Sequence, residues 1–292
     1  MQDVRTALLE RIASRIADGV ASGRGASPDE ARFLLREYVA TGRDDLRDAL
    51  GLALAHALAA AGRADARTFR RAALLTLLVE AAPVADDERV LAAARDLAAG
   101  LRAEWPSDLA RVGLAAATAS VDACLRGSSL FNASQIVPPA IDELERIIAV
   151  AYRPGKGLSL ARARGDDERA ADEASDHVAA ASALLTAFEI TGRLPYSMLA
   201  EELVHDAKRL AKGRADDERA AAGDCETARV LCRLAALHDS SDYRAAAIVA
   251  PGADYRADAA RILEDRGPQA LVAPLDDAAL YGIALRELMS LR

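Results

Sequence analysis

Aromatic side chains are scarce in this 292-residue chain, at 4%, with one Trp, four Phe and six Tyr. Strands draw heavily on aromatic and β-branched residues, so this shortage argues against a sandwich or barrel. Cysteine is almost absent too. Cys124, Cys225 and Cys232 form no C-x-x-C pair, so neither a zinc knuckle nor a disulfide framework is expected. Cys225 and Cys232 are seven residues apart, hence on one face of a helix and too far apart to bridge. We read all three as small buried thiols. Only three of the 37 basic residues are lysine, Lys156, Lys208 and Lys212. A net charge of −8 and a pI near 5.2 argue against a nucleic-acid partner. No stretch of about 18 apolar residues is free of charge, so no membrane span is expected. The first residues, MQDVRTALLERIASRIADG, carry charges every few positions and read as an amphipathic helix, not a signal peptide. A cytoplasmic protein without a cofactor is the expectation.

What the chain has in abundance is alanine, about a quarter of all residues, together with leucine and arginine. These are strong helix formers because they lose little side-chain freedom in a helix. Apolar residues recur at helical spacing almost end to end, as in Val4, Leu8, Ile12 and Ile16. Ser27-Pro28-Asp29-Glu30 is a helix start: a serine cap, proline in the first turn, then acids at the positive helix end. Gly42 ends that helix. Further segments cover about 44–62, 65–82, 86–104, 107–126, 138–152, 167–191, 196–212, 223–238, 254–266 and 276–291. That makes eleven or twelve helices in one domain, 1–292. Residues 127–137 and 153–165 read as loops, and only 270–274 could be extended.

A repeat organises these helices. Leu34, Leu35, Tyr38, Thr41, Gly42 and Arg43 correspond to Leu184, Leu185, Phe188, Thr191, Gly192 and Arg193. A weaker copy lies at 230–247. The unit is a helix, a tight Thr-Gly turn and a second helix, and stacked hairpins bury the stripe that one hairpin leaves exposed. Six such hairpins can close into an (α/α)6 toroid or remain an incomplete one.

The segment Asp176-His177-Val178-Ala179 through Ala183-Leu184-Leu185 to Phe188-Glu189-Ile190-Thr191-Gly192-Arg193 and Tyr196 carries a family resemblance. It resembles the helical region of thioredoxin-domain proteins of the spermatogenesis-associated-20 type, and of related six-hairpin sugar enzymes. Residues 226–248 and 277–288 are similar to that family's C-terminal repeats. The resemblance covers about 170–292, and 27–62 more loosely. It implies an (α/α)6 toroid with a central cavity. The thioredoxin half and its C-x-x-C are absent, Ser175 stands where the family has the first of two Asp residues, and the Trp-rich cleft loops are missing.

The resemblance places Asp176 and His177 at the cavity, where they would bind a polyol or act as acid and base; a solvated helix start with a structural histidine is the other reading. Glu189 is the candidate second acid, and Tyr38 and Trp105 are candidate ligand contacts, Trp105 having hairpin packing as its alternative. Asp-Asp-Glu-Arg recurs at 86–89, 166–169 and 216–219. Its acids read as helix caps, although Asp166, Asp167 and Asp172 superficially resemble a magnesium-diphosphate motif. Arg153-Pro154-Gly155-Lys156-Gly157 lacks the Ser or Thr of a P-loop and reads as a turn. His56, His205 and His238 are scattered, no histidines stand at i, i+4, and no metal site is expected. The expected function is a catalytically degenerate six-hairpin protein, binding a small polar molecule or a protein partner at its central cavity. One alternative is a carbohydrate-active hydrolase or isomerase using Asp176 and His177. The other is a purely structural helical scaffold.

Overall fold

The computed structural model describes residues 2–62, 67–105, 109–160, 166–211, 218–246 and 252–291. Side chains are described for all of these except residues 2, 166–172 and 218–220. The fold is all-α, with about 84% helix among the described residues. In chain order the helices are α1 (Gln2–Ala21), α2 (Pro28–Thr41), α3 (Asp44–Ala61), α4 (Thr68–Ala85), α5 (Glu88–Glu104), α6 (Leu109–Val112) and α7 (Leu114–Gly127). They continue with α8 (Ala133–Ala151), α9 (Asp166–Thr191), α10 (Leu194–Ala211), α11 (Glu218–His238), α12 (Ser241–Ala246), α13 (Tyr255–Ala270) and α14 (Leu275–Ser290). A two-stranded antiparallel ribbon, β1 (Tyr152–Arg153) with β2 (Gly157–Leu158), folds the 153–157 turn.

Six helices touch one another in a closed cycle: α2 packs on α4, α4 on α7, α7 on α9, α9 on α11, α11 on α14, and α14 returns to α2. The helices that alternate with them in sequence pack against this inner set: α1 on α14, α3 on α2, α5 on α4, α8 on α7, α10 on α9 and α13 on α11. Many of the buried core residues are alanines, whose small side chains let helices approach closely. The cycle closes where Gly282 of α14 lies under the Phe33 ring of α2, a spot in which any β-carbon would collide with the ring.

The two Thr-Gly turns match bond for bond. Gly42 and Gly192 take φ of 68° and 69°, which a β-carbon resists. Gly42 N–H donates to the Tyr38 carbonyl at 2.8 Å and Gly192 N–H to that of Phe188 at 2.7 Å. Thr41 and Thr191 hydroxyls each donate to a carbonyl one turn back, at 2.7 Å. Ser27 caps α2 through a complete capping box with Glu30.

Several boundaries differ from the sequence reading. The segment 107–126 is two helices, broken at Gly113 with φ 90°. Residues 133–137 extend α8 backwards through Pro138 and Pro139, which sit early in the helix. Of residues 270–274, Ala270 ends α13 and the rest form a turn, not a strand. The buried face of α1 is Leu9, Ile12, Ala13, Ile16 and Val20, while Val4 is exposed. Among the described residues no helix is long and apolar enough to cross a membrane. Cys124, Cys225 and Cys232 are free and buried, and desolvation pushes each thiol up to about 12.

Candidate functional site: an axial belt of charge

The inner helices carry charged residues at helical spacing inside apolar stripes: Arg32 and Arg36 on α2, Asp122 and Arg126 on α7, Arg229 and Arg233 on α11. Residues four apart share a helix face, and here that face meets the other inner helices. Glu80 of α4 accepts from Arg32 Nη2 at 2.8 Å and from Arg36 Nη2 at 3.2 Å. Arg36 Nη1 donates to Glu287 of α14 at 2.5 Å. Glu287 also accepts from Arg229 Nε of α11 at 3.2 Å, and Arg229 Nη1 reaches Glu226 at 2.8 Å. One turn further along α11, Arg233 donates to the Ser182 carbonyl at 2.9 Å, to Thr186 Oγ1 at 2.9 Å and to Glu189 Oε1 at 2.9 Å, all on α9. Ser182 and Thr186 hydroxyls donate to Asp122 of α7 at 2.9 and 2.5 Å, and Arg126 Nε reaches the same carboxylate at 3.0 Å.

One chain of polar contacts therefore ties all six inner helices in the order α4, α2, α14, α11, α9, α7. The α4–α7 seam is closed by apolar packing, with Val79 against the Gly127 backbone. Glu80 and Arg229 stand on helices at opposite sides of the cycle yet feel each other electrostatically. The belt thus couples charges from opposite sides of the cycle of contacts. Water reaches it: Arg36, Glu80, Asp122, Arg126, Arg229, Arg233 and Glu287 keep 12–26% of their side-chain surface exposed.

The electrostatics follow from this arrangement. Burial acts to raise the Glu80 carboxyl, but the Arg32 and Arg36 guanidiniums outweigh it and hold the group below its ordinary value. Glu287, between Arg229 and Arg36, and Asp122, between Arg126 and Arg233, are held down in the same way against burial. Arg233 is lowered, first by burial and then by the like charge of Arg126.

Of the sequence-derived candidates, Glu189 alone belongs to this belt. Asp176 is engaged elsewhere: its Oδ1 accepts the Ala115 N–H at 2.8 Å, capping the first turn of α7 from another helix. His177 is engaged at both ring nitrogens. Leu158 N–H donates to Nε2 at 2.9 Å, so Nδ1 carries the proton facing the Glu173 carbonyl at 2.5 Å. Burial lowers its pKa, in keeping with a neutral imidazole pinning β2 to α9. Trp105 is buried with its indole N–H on Ser120 Oγ at 3.1 Å, and the shallow pocket beside it contains none of the other four candidates. Tyr38 is half-buried on α2 against the core. The 86–89 copy of the acidic motif caps α5 through Asp87, whose carboxylate accepts the Arg89 N–H at 2.9 Å. Asp166, Asp167, Asp172 and the 216–217 acids lie outside the residues whose side chains are described.

A second polar cluster went unread in the sequence. Glu201 of α10 is fully buried and accepts from Tyr243 Oη at 2.9 Å and Tyr255 Oη at 3.0 Å, with His238 Nε2 at 2.8 Å. His205 Nε2 lies 3.4 Å from the Tyr255 hydroxyl. Burial pushes the Tyr243 phenol up to about 12, aided by the Glu201 charge, and raises Tyr255 as well. This knot fastens α12 and the start of α13 to α10. Its signal was present in sequence only as dispersed residues, 201, 238, 243 and 255, which no spacing rule connects. The belt did leave a trace: arginine pairs at i, i+4 inside apolar helices. Among the described residues no group of three His, Cys, Asp or Glu could hold a metal ion. No protein-family model, no curated protein and no solved structure matches this chain.

Proposed function

We propose that the chain is a catalytically degenerate six-hairpin toroid that binds a small polar ligand in its axial space. The closed cycle of inner helices supports the toroid. The observation that carries the binding reading is a belt of guanidiniums and carboxylates which stays wet although it lies between opposite helices. Fixed donors of this kind favour a ligand with several polar groups, because little reorganisation is needed to receive it. The expectation of no turnover is supported by where the candidate acid and base sit. Asp176 caps a helix and His177 has both nitrogens engaged, so neither is placed to move a substrate proton. The chain also has few aromatics to form the platforms that sugar clefts use.

The test is calorimetric titration of the full chain with a panel of monosaccharides, sugar phosphates and small carboxylates, run beside assays for hydrolysis and isomerisation. Binding without turnover is expected. A panel with no binder overturns the reading and leaves a structural scaffold, the alternative favoured by the mutual pairing of the belt's charges. Turnover lost in both Asp176→Asn and His177→Ala, with folding intact, promotes an enzyme.

A further inference from the structure

The belt is not uniform around the axis. At the α2, α4, α11 and α14 side, signs alternate and both oxygens of Glu80 and of Glu287 are engaged. At the α7, α9 and α11 corner two like charges meet: Arg126 Nη2 and Arg233 Nη1 both donate to Ser182 Oγ, at 3.3 and 3.1 Å. Their mutual repulsion is felt at Arg233. Arg126 Nη1 makes no hydrogen bond to the described residues, and 26% of its side chain is exposed. Glu189 is the loosest carboxylate of the belt. Only its Oε1 is engaged among the described residues, by Arg233, and 47% of its side chain is exposed.

We propose that this corner is an anion subsite, built from the Arg126 and Arg233 guanidiniums, in which Glu189 stands in for the ligand. A carboxylate or phosphate monoester group displaces Glu189 from Arg233 and takes the open Nη1 of Arg126. The displaced Glu189 turns to solvent, so a carboxylate leaves the charge around the two guanidiniums unchanged, and a phosphate monoester adds up to about one further negative charge. Asp122 stays, held by Arg126, Ser182 and Thr186, and balances one of the two arginines. Guanidinium forks match such anions in a planar, two-point geometry. This inference rests on the axial-binding reading and names the class of its ligand.

The experiment titrates the full chain with inorganic phosphate, with acetate and with a neutral methyl glycoside, in wild type, Glu189→Gln, Arg126→Gln and Arg126→Lys. Phosphate and acetate separate the two anion sources. In the expected result an anion binds wild type, Glu189→Gln tightens it about tenfold, and Arg126→Gln weakens it at least about tenfold. Arg126→Lys keeps the charge and covers the case in which Arg126→Gln does not fold; it too loses affinity, because the planar fork is gone. Anion affinity unchanged in every Arg126 variant, or unchanged in Glu189→Gln, overturns the subsite. Binding of the neutral glycoside alone overturns the subsite and leaves the axial reading standing. No binding by any probe overturns both.

Discussion

The axial belt and the Glu201 knot both bury carboxylates, and they do it by opposite means. In the belt each carboxylate faces guanidiniums, some surface stays wet, and several donors and acceptors could exchange partners. In the knot a single, fully buried carboxylate is held by two phenols and an imidazole. A guanidinium–carboxylate pair near water gives up little when a competing anion arrives, since both states are solvated and charge-balanced. A carboxylate sealed among hydroxyls has no such exchange open to it, because removing it leaves three donors unsatisfied in the interior. On the reading proposed above the belt is the part that exchanges partners with a ligand, while the knot holds the α11–α13 connection in place.

The largest effect expected from this contrast is at the knot. Glu201→Ala should lower the unfolding free energy by about 3–5 kcal/mol, as when one partner of a buried charged network is removed. Glu201→Gln keeps the shape, and half of its amide can still accept, so the loss should be smaller, about 1–3 kcal/mol. Urea unfolding at neutral pH measures both. A loss below about 1 kcal/mol for Glu201→Ala would erase the distinction between the two regions.

At the belt the next effect is both smaller and pH-dependent. Arg229→Met leaves Glu226 and Glu287 without their shared cation and should cost about 2–3 kcal/mol, the lower end for a pair that stays partly wet. Glu80, Glu287 and Asp122 are held below their ordinary values in the fold. Their contribution is thus present above the unfolded carboxyl pKa, about 4, and is lost as pH falls through the lower folded values. Wild type should lose stability steadily below about pH 4–5. In Arg229→Met the Glu287 depression shrinks, so that fall becomes shallower. Unfolding curves between neutral and acid pH sharpen the comparison, and parallel curves for the two proteins would break it.

The repeat was more legible than either polar region, and the reason is local. A Thr-Gly turn acts within five residues, so Gly42 and Gly192 could be matched by eye, and their φ angles agree to a degree. Replacing either by Val should cost about 1–2 kcal/mol in thermal unfolding, through backbone strain alone, because the space around both positions is open. The double variant should show the sum, since the two turns are distant. The polar regions depend on which helices become neighbours. Arg229 and Arg233 stand four apart on one helix, yet Arg229 meets Glu287 of α14 and Arg233 meets Glu189 of α9. Nothing in the spacing says that. The motif residues Asp176 and His177 are both buried, and their contacts, too, are set by neighbours that spacing does not name. Those neighbours are β2, whose Leu158 N–H comes to His177, and α7, whose first turn comes to Asp176.

The smallest expected effect separates a structural job from a functional one. Asp176 caps α7 at the break after Gly113, where the sequence supplies no side chain of its own to do so. Loss of a capping carboxylate costs about 1 kcal/mol in typical helices. Asp176→Ala should therefore shift the melting temperature modestly downward. Asp176→Asn, whose amide oxygen can still accept the Ala115 N–H, should recover most of the loss. Neither variant touches Arg126, Arg233 or Glu189, so anion affinity should be unchanged in both. A residue that worked on a ligand would behave the other way round: Asn would fail to rescue, and affinity would fall while the melting temperature held. Measuring melting and binding on the same two variants decides which kind of residue Asp176 is.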